Sequence, residues 1–143
     1  MRLHLLLAKV EPKEIREPGE CVYAGCGSKR LHLHQEVQKA LRDTIHQQVE
    51  AHRYRCLKCG RTFRVYPAGV SQEQTSERVK GLAVMLYLLG LSYGAVPLAL
   101  ESLGVPLSKT EVYNTVQVAS KQVPGMKRQQ VLAGVKPKPL GEI

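Results

Sequence analysis

Residues 53–64 read Arg53-Tyr54-Arg55-Cys56-Leu57-Lys58-Cys59-Gly60-Arg61-Thr62-Phe63-Arg64. Two residues separate Cys56 from Cys59. An upstream pair, Cys21 and Cys26, is separated by four residues, and 29 residues lie between the pairs. Two short-spaced cysteine pairs, each on a turn, can close on one ion from opposite sides, and four thiolates suit the tetrahedral preference of zinc. The spacing therefore predicts one structural Zn²⁺ held by Cys21, Cys26, Cys56 and Cys59.

Glycines follow both pairs directly, Gly27 after the first and Gly60 after the second. Glycine allows each turn to swing back, so that backbone amides point at the sulfurs. A redox role for the Cys56–Cys59 pair would require a βαβ context, which the pattern does not offer. Since four cysteines fill the coordination sphere, we expect the histidines of this region to be strand or phosphate-contacting residues rather than ligands: His32, His34, His46 and His52.

Hydrophobic periodicity predicts an α+β chain. Residues 31–34 and 49–52 alternate between apolar and polar side chains, which is typical of short antiparallel strands. From residue 71 the period becomes helical. We therefore predict a small zinc ribbon followed by a three-helix helix-turn-helix bundle, divided as an arm and linker at 1–20, the ribbon at 21–70, the helices at 71–124 and a basic, extended tail at 125–143.

Capping signals predict where the helices begin and end. Ser71 with Gln74 has the spacing of a capping box, and so has Ser108 with Glu111. The first helix, across residues 79–91, is apolar almost all round, which predicts burial in the core or in a homodimer. Pro97 would remove a hydrogen bond from a second helix that began at Ser92, so that helix either begins nearer Gly94 or kinks.

The charge balance favours a polyanionic partner. The formal net charge is +9, and only 5% of residues are aromatic, with no Trp and one Phe, which argues against a stacking platform for single strands. We predict phosphate contacts from the residues around the second pair: Arg53, Arg55, Lys58, Arg61 and Arg64. We predict base or groove contacts from the third helix: Lys109, Thr110, Tyr113, Asn114 and Gln117. A solvated polar surface is the alternative in both cases.

No segment predicts export or membrane insertion. The apolar run at residues 5–8 is too short for a signal peptide, and the richest apolar stretch, residues 82–91, is far shorter than a membrane span. We therefore expect a cytoplasmic, nucleoid-associated protein without a membrane partner, in a compartment where thiols stay reduced.

Residues 21–121 resemble the N-terminal region of bacterial insertion-sequence transposases that begin with a zinc ribbon. The stretch at 52–63 is similar to the second cysteine turn of those ribbons, and the runs at 88–96 and 107–113 are similar to their helix-turn-helix. The resemblance implies binding to the terminal repeats of a mobile element. The four-residue spacing of the first pair departs from the commoner two-residue spacing but remains compatible with zinc.

The catalytic carboxylates of such transposases are not expected in this chain. Asp43 is the only aspartate and lies between the cysteine pairs, while Glu101 and Glu111 lie in the helical region. A metal-binding carboxylate triad cannot be assembled from these residues. We therefore expect either the DNA-binding part of a longer transposase or a shortened relative that only binds, in both cases a non-catalytic chain that binds double-stranded DNA. A free-standing transcriptional regulator and a protein-interaction adaptor remain the alternatives.

Overall fold

The computed structural model describes residues 6–122 and combines a small antiparallel sheet with three helices. The strands are β1 (Leu31–Ala40), β2 (Gln48–Cys56) and β3 (Thr62–Val65), and the helices are α1 (Glu77–Leu88), α2 (Ala95–Ser102) and α3 (Lys109–Gln122). This α+β composition was predicted. The predicted tail at 125–143 lies outside the described residues.

The three strands form a sheet in the order β1-β2-β3, and β2 pairs antiparallel with both neighbours. The register opposes Arg55 to Thr62 on β3 and to His32 on β1. It shifts by one residue between Leu33 and Gln35, so His34 is a bulge on β1. Because opposed residues share a face, the register determines which side chains lie together.

One end of the sheet packs against the N-terminal segment. Val10, Leu41 and Val49 form a small buried cluster, with Val70 packed against it. The amide of Glu11 donates to the carbonyl of Ala68 (3.1 Å), which adds a short antiparallel bridge. The segment before the first cysteine thus contributes to the core of the sheet.

The predicted start of the first helix at Ser71 and Gln74 is wrong. α1 begins at Glu77, and its N-cap is Ser76, whose hydroxyl accepts a hydrogen bond from the amide of Val79 (3.2 Å). The reason is long-range pairing: the amide of Arg42 donates to the carbonyl of Gln74 (2.8 Å), and the amide of Ser76 donates to the carbonyl of Arg42 (3.0 Å). This backbone is therefore extended and cannot begin a helix.

The other two helix starts agree with the sequence. α2 begins after Gly94, so Pro97 lies in the first turn, where amides have no intrahelical acceptor. At α3 the predicted capping box is present: Ser108 Oγ accepts from the amide of Glu111 (3.1 Å), and Glu111 Oε2 accepts from the amide of Ser108 (2.7 Å). The two residues thus satisfy each other's free amides.

The three helices enclose the larger core. Its buried residues come from all three helices and from the α2–α3 connection, and they are Val79, Ala83, Val96, Leu100, Val105, Leu107, Val112 and Val116. At the end of α1 the apolar surface continues outward, since Leu88 is 57% exposed and Leu89 71% exposed. Among residues 6–122, no helix has the length and apolar character needed to cross a membrane.

Two polar contacts join the sheet to the helices. Asp43, in the β1–β2 connection, accepts hydrogen bonds from Ser76 Oγ (2.7 Å) and from the guanidinium of Arg78 on α1. The neighbouring Arg42 pairs with Glu111 on α3 at 2.8 Å. The turn end of the β1–β2 hairpin is therefore attached to the first turns of both α1 and α3.

Candidate metal centre and basic surfaces

The first cysteine turn is closed by backbone hydrogen bonds. The amide of Cys26 donates to the carbonyl of Tyr23 (3.2 Å), and the amide of Cys21 donates to the carbonyl of Ser28 (2.8 Å). Gly27 has φ +56°, a left-handed conformation that other residues adopt only at a cost. This conformation turns the chain after Cys26, so that Ser28 returns to the backbone of Cys21.

The second cysteine turn continues directly from β2. Cys56 is the last residue of the strand, and its carbonyl accepts from the amide of Gly60 (2.9 Å), which has φ +73°. The amide of Leu57 donates to the carbonyl of Arg30 (2.9 Å), just before β1. The two turns are thereby held side by side at one end of the sheet.

The four sulfur atoms lie close together, as the cysteine spacing predicted. Sγ of Cys21 lies 3.8 Å from Sγ of Cys59, and Sγ of Cys26 lies 3.6 Å from Sγ of Cys56. All four lie within 4.8 Å of one another. A tetrahedral ion with metal–sulfur bonds of about 2.3 Å requires sulfur–sulfur separations of about 3.8 Å. The four cysteines therefore lie close enough together to hold a metal ion.

The thiols differ in acidity, which matters because a metal binds the thiolate form. Hydrogen bonds from the backbone at Cys59, and less strongly at Lys58, lower the pKa of Cys56 to about 6 despite desolvation. The backbone at Tyr23 lowers the pKa of Cys21, but desolvation and the other three thiols outweigh it and raise the pKa to about 11.

Aromatic side chains pack beside the cluster. The ring of Tyr23 lies edge-on to Phe63 at 6.4 Å, and Phe63 stacks on Tyr54 at 6.2 Å. The guanidinium of Arg61 lies over the Tyr23 ring at 5.1 Å. Tyr54 and Cys56 are buried, so this end of the sheet consists of the cysteine site and its aromatic cover.

The strands separate their charges between the two faces of the sheet. The register places every strand lysine and arginine on one face, which we call the cationic face and define as Lys39, Arg53, Arg55 and Arg64. Both strand carboxylates, Glu36 and Glu50, lie on the opposite face beside His52. Side-chain atoms of these three residues lie within 4.8 Å of one another, an arrangement that exposed carboxylates often adopt without a metal.

Within residues 6–122, no member of the cationic face forms a salt bridge. Arg53 donates to Thr62 Oγ1 (3.0 Å), while Arg55 and Arg64 are exposed. Burial, and then the charge of Arg64, lower the pKa of Lys39. The four cations thus share one face without carboxylate partners. Lys39 Nζ donates to the carbonyl of Gln72 (3.0 Å), and Val49 and Ala51 on the same face are buried.

The five predicted phosphate contacts do not lie in a single array. Arg53, Arg55 and Arg64 share the cationic face, whereas Arg61 packs on Tyr23 and Lys58 lies on the second cysteine turn. Lys39, which was not among the predicted contacts, lies on the same face as Arg53 and Arg55, and so does His32. Lys39 and His32 share a face only because of the bulge at His34, and that bulge is defined by the pairing of β1 with β2.

The five predicted contacts of α3 lie on a partly exposed surface. Lys109, Thr110 and Asn114 are exposed, Tyr113 is 47% exposed and Gln117 is half-buried. Asn114 also lines a groove of about 720 Å³ between α1 and α3, next to Arg42 and Lys80. Tyr113 lies on the other flank of α3 and contacts Tyr93, a neighbour that no local sequence signal predicted.

Comparison of the chain with protein-family models, with curated proteins and with solved structures finds no match.

Proposed function

We propose that this chain is a zinc-stabilised module that binds double-stranded DNA without catalysing a reaction. The metal would be zinc because four thiolates at tetrahedral spacing are the preferred donor set of that ion. Four protein ligands would leave no position for water, so the metal would be structural. Cys21, Cys26, Cys56 and Cys59 would bind it, and the metal would hold the two turns together.

The observation that carries the proposal is the separation of charge across the sheet. Four cations occupy one face without salt bridges among the described residues, and both strand carboxylates lie on the other face. Such a surface attracts phosphates and releases their counterions, which provides affinity without sequence preference. A surface that needed only solubility would not require the cations to be crowded on one side.

Sequence preference would come from α3. The proposed arrangement is a helix-turn-helix in which α2 and the connection at 103–108 support α3 in the major groove. Thr110, Asn114 and Lys121 lie opposite the buried Val112 and Val116 on α3, so they would face the bases. If the chain is related to transposases, this module would recognise the ends of a mobile element, either as the DNA-binding part of a longer enzyme or as a shortened relative that only binds.

Paired charge substitutions test the use of the cationic face. Binding to a labelled duplex of random sequence is measured by fluorescence anisotropy over a range of salt concentrations. Arg55→Gln with Arg64→Gln should weaken binding to every duplex and lower the salt slope by about 2, because roughly 0.9 counterions are released per phosphate contact. The control is Lys13→Gln with Arg16→Gln, which removes the same charge from an exposed segment. Equal losses of DNA affinity in the two double variants would show that binding depends on the net charge of the chain and not on the cationic face.

A second candidate function is docking to another protein. Leu88, Leu89, Leu98 and Leu103 are each more than half exposed. Large exposed apolar side chains favour protein interfaces, including the homodimer that the apolar first helix predicts. A complex whose affinity did not change with salt would favour this function over DNA binding.

A further inference from the structure

Three tyrosines form a cluster on the helical part of the molecule. The ring of Tyr93 stacks on Tyr87, with centroids 4.6 Å apart and planes at 12°. Its other contact is with Tyr113 of α3, at 5.1 Å and 71°. Tyr93 therefore lies between α1 and α3 and contacts a ring on each helix, and both geometries are favourable for aromatic pairs.

The backbone around Tyr93 is fixed on both sides. The amide of Leu91 donates to the carbonyl of Leu86 (3.2 Å) at the end of α1. Ser92 Oγ accepts from the amide of Ala95 (3.1 Å) at the start of α2. A ring attached to such a segment has little freedom to move, so it can act as a rigid support for its neighbours.

The supported neighbours lie on α3. Tyr113 and Gln117 are one turn apart and thus project from the same side of the helix. Of these two α3 residues, Tyr113 is the one that the ring of Tyr93 contacts.

Tyr87 and Tyr93 pack against the helical core, but other residues also attach α3 to that core. Val112 and Val116 are buried and already attach the helix to α1 and α2. Tyr113 remains 47% exposed, so its contact with Tyr93 buries only part of the ring. A contact that orders a partly exposed side chain matters most when that side chain must present one face to a ligand.

We propose that Tyr93 is a positioning residue for DNA recognition, because its ring fixes the direction in which Tyr113 projects from α3. This inference rests on the proposed DNA binding and adds to it a residue outside the predicted contacts. Tyr93 would act on sequence preference through α3 and would leave phosphate binding by the cationic face unchanged.

The test compares three variants on two duplexes. One is a duplex enriched by the wild-type protein from a randomised pool, and the other is the same duplex with its sequence scrambled. Tyr93→Leu should lower the ratio of the two affinities by roughly three- to tenfold, the contribution of one aromatic pair. Tyr93→Phe keeps the ring and should retain most of that ratio. Leu82→Ala, which removes a partly buried side chain from the same core, should lower the melting temperature without lowering the ratio.

The outcomes separate the two proposals. If the wild-type protein enriches no sequence, both base reading by α3 and the role of Tyr93 are overturned. If it enriches a sequence and Tyr93→Leu keeps the full ratio, only the role of Tyr93 is overturned. An equal fall in the ratio for Leu82→Ala would also overturn it, because the effect would then follow from stability alone.

Discussion

Arg78 donates two hydrogen bonds to the carboxylate of Asp43, with Nη2 2.7 Å from Oδ2 and Nε 3.1 Å from Oδ1. The side chain of Asp43 is fully buried, and its remaining acceptor positions are used by Ser76 Oγ and by the amides of Ile45 and His46. The only aspartate of the chain thus joins the β1–β2 connection to the first turn of α1. This contact fixes how the sheet and the helices are placed relative to each other.

We expect Asp43→Asn to lower the free energy of unfolding by about 3 kcal/mol at neutral pH, because the change leaves the Arg78 charge without its buried partner. Urea denaturation in the presence of zinc measures this loss. Glu14→Gln is the control, since the Arg16–Glu14 pair spans 4.0 Å at an exposed site and should contribute at most about 0.5 kcal/mol. A loss no larger than that of the control would contradict the structural role of Asp43.

The stabilisation by Asp43 should depend on pH in a defined direction. Burial would raise the pKa of the carboxyl group, but the hydrogen bonds from Arg78, Ser76 and the backbone outweigh burial and hold the pKa well below its ordinary range. The stabilisation is therefore complete above the pKa of the unfolded chain, about 3.9, and is lost as the pH falls towards the folded value. The stability difference between wild type and Asp43→Asn should shrink on acidification below about pH 4. A stability difference that grew on acidification would contradict the lowered pKa of Asp43.

The cysteine site was largely predictable from the sequence, whereas its surroundings were not. The spacing alone predicted that Cys21 and Cys26 lie beside Cys56 and Cys59, because two short-spaced cysteine pairs on glycine turns have few other ways to bind one ion. The start of α1 was predicted wrongly because Arg42, more than 30 positions upstream, pairs with the backbone of residues 74–76. Local capping signals carry no information on such a distant partner.

The charge pattern of the sheet illustrates the same limit. Arg53, Arg55 and Arg64 could be identified as candidate phosphate contacts from composition, but their common face with Lys39 follows from the register. The bulge at His34 reverses which β1 side chains lie on each face of the sheet beyond that residue. The sequence of β1 does not reveal this bulge when its pairing partner is unknown. The partner of Asp43 was missed for a similar reason, since Arg78 lies 35 residues away.

Gly60→Ala should weaken metal binding without blocking the turn sterically. Gly60 has φ +73°, and an added Cβ would meet no atom within 4 Å, so the cost is only that of the left-handed backbone, about 1 kcal/mol. We therefore expect a roughly fivefold loss of zinc affinity in competition with a chromophoric chelator. Gly19→Ala is the control, because Gly19 lacks a positive φ and its added Cβ would also meet no atom. Equal affinities for the two variants would show that this turn does not constrain the site.

Substitution of Asn114 should affect sequence preference rather than overall affinity. Asn114→Ala removes a side-chain amide that can pair with adenine, and the loss on an enriched duplex should be about 1–3 kcal/mol with little change on a scrambled one. Anisotropy on the two duplexes measures the difference, and Ser120→Ala, at another exposed position of α3, is the control. A uniform loss on both duplexes would place Asn114 at the phosphates instead of the bases.

The metal content of the native protein tests the central claim most directly. Protein purified without added metal or chelator is measured by elemental analysis, and a second sample is titrated with Co²⁺ to detect thiolate-to-metal absorption. We predict one zinc per chain, cobalt absorption typical of four thiolates at one tetrahedral ion, and loss of both in Cys56→Ser with Cys59→Ser. Native folded protein that contained no stoichiometric metal, and whose four thiols bound neither zinc nor cobalt, would contradict the account.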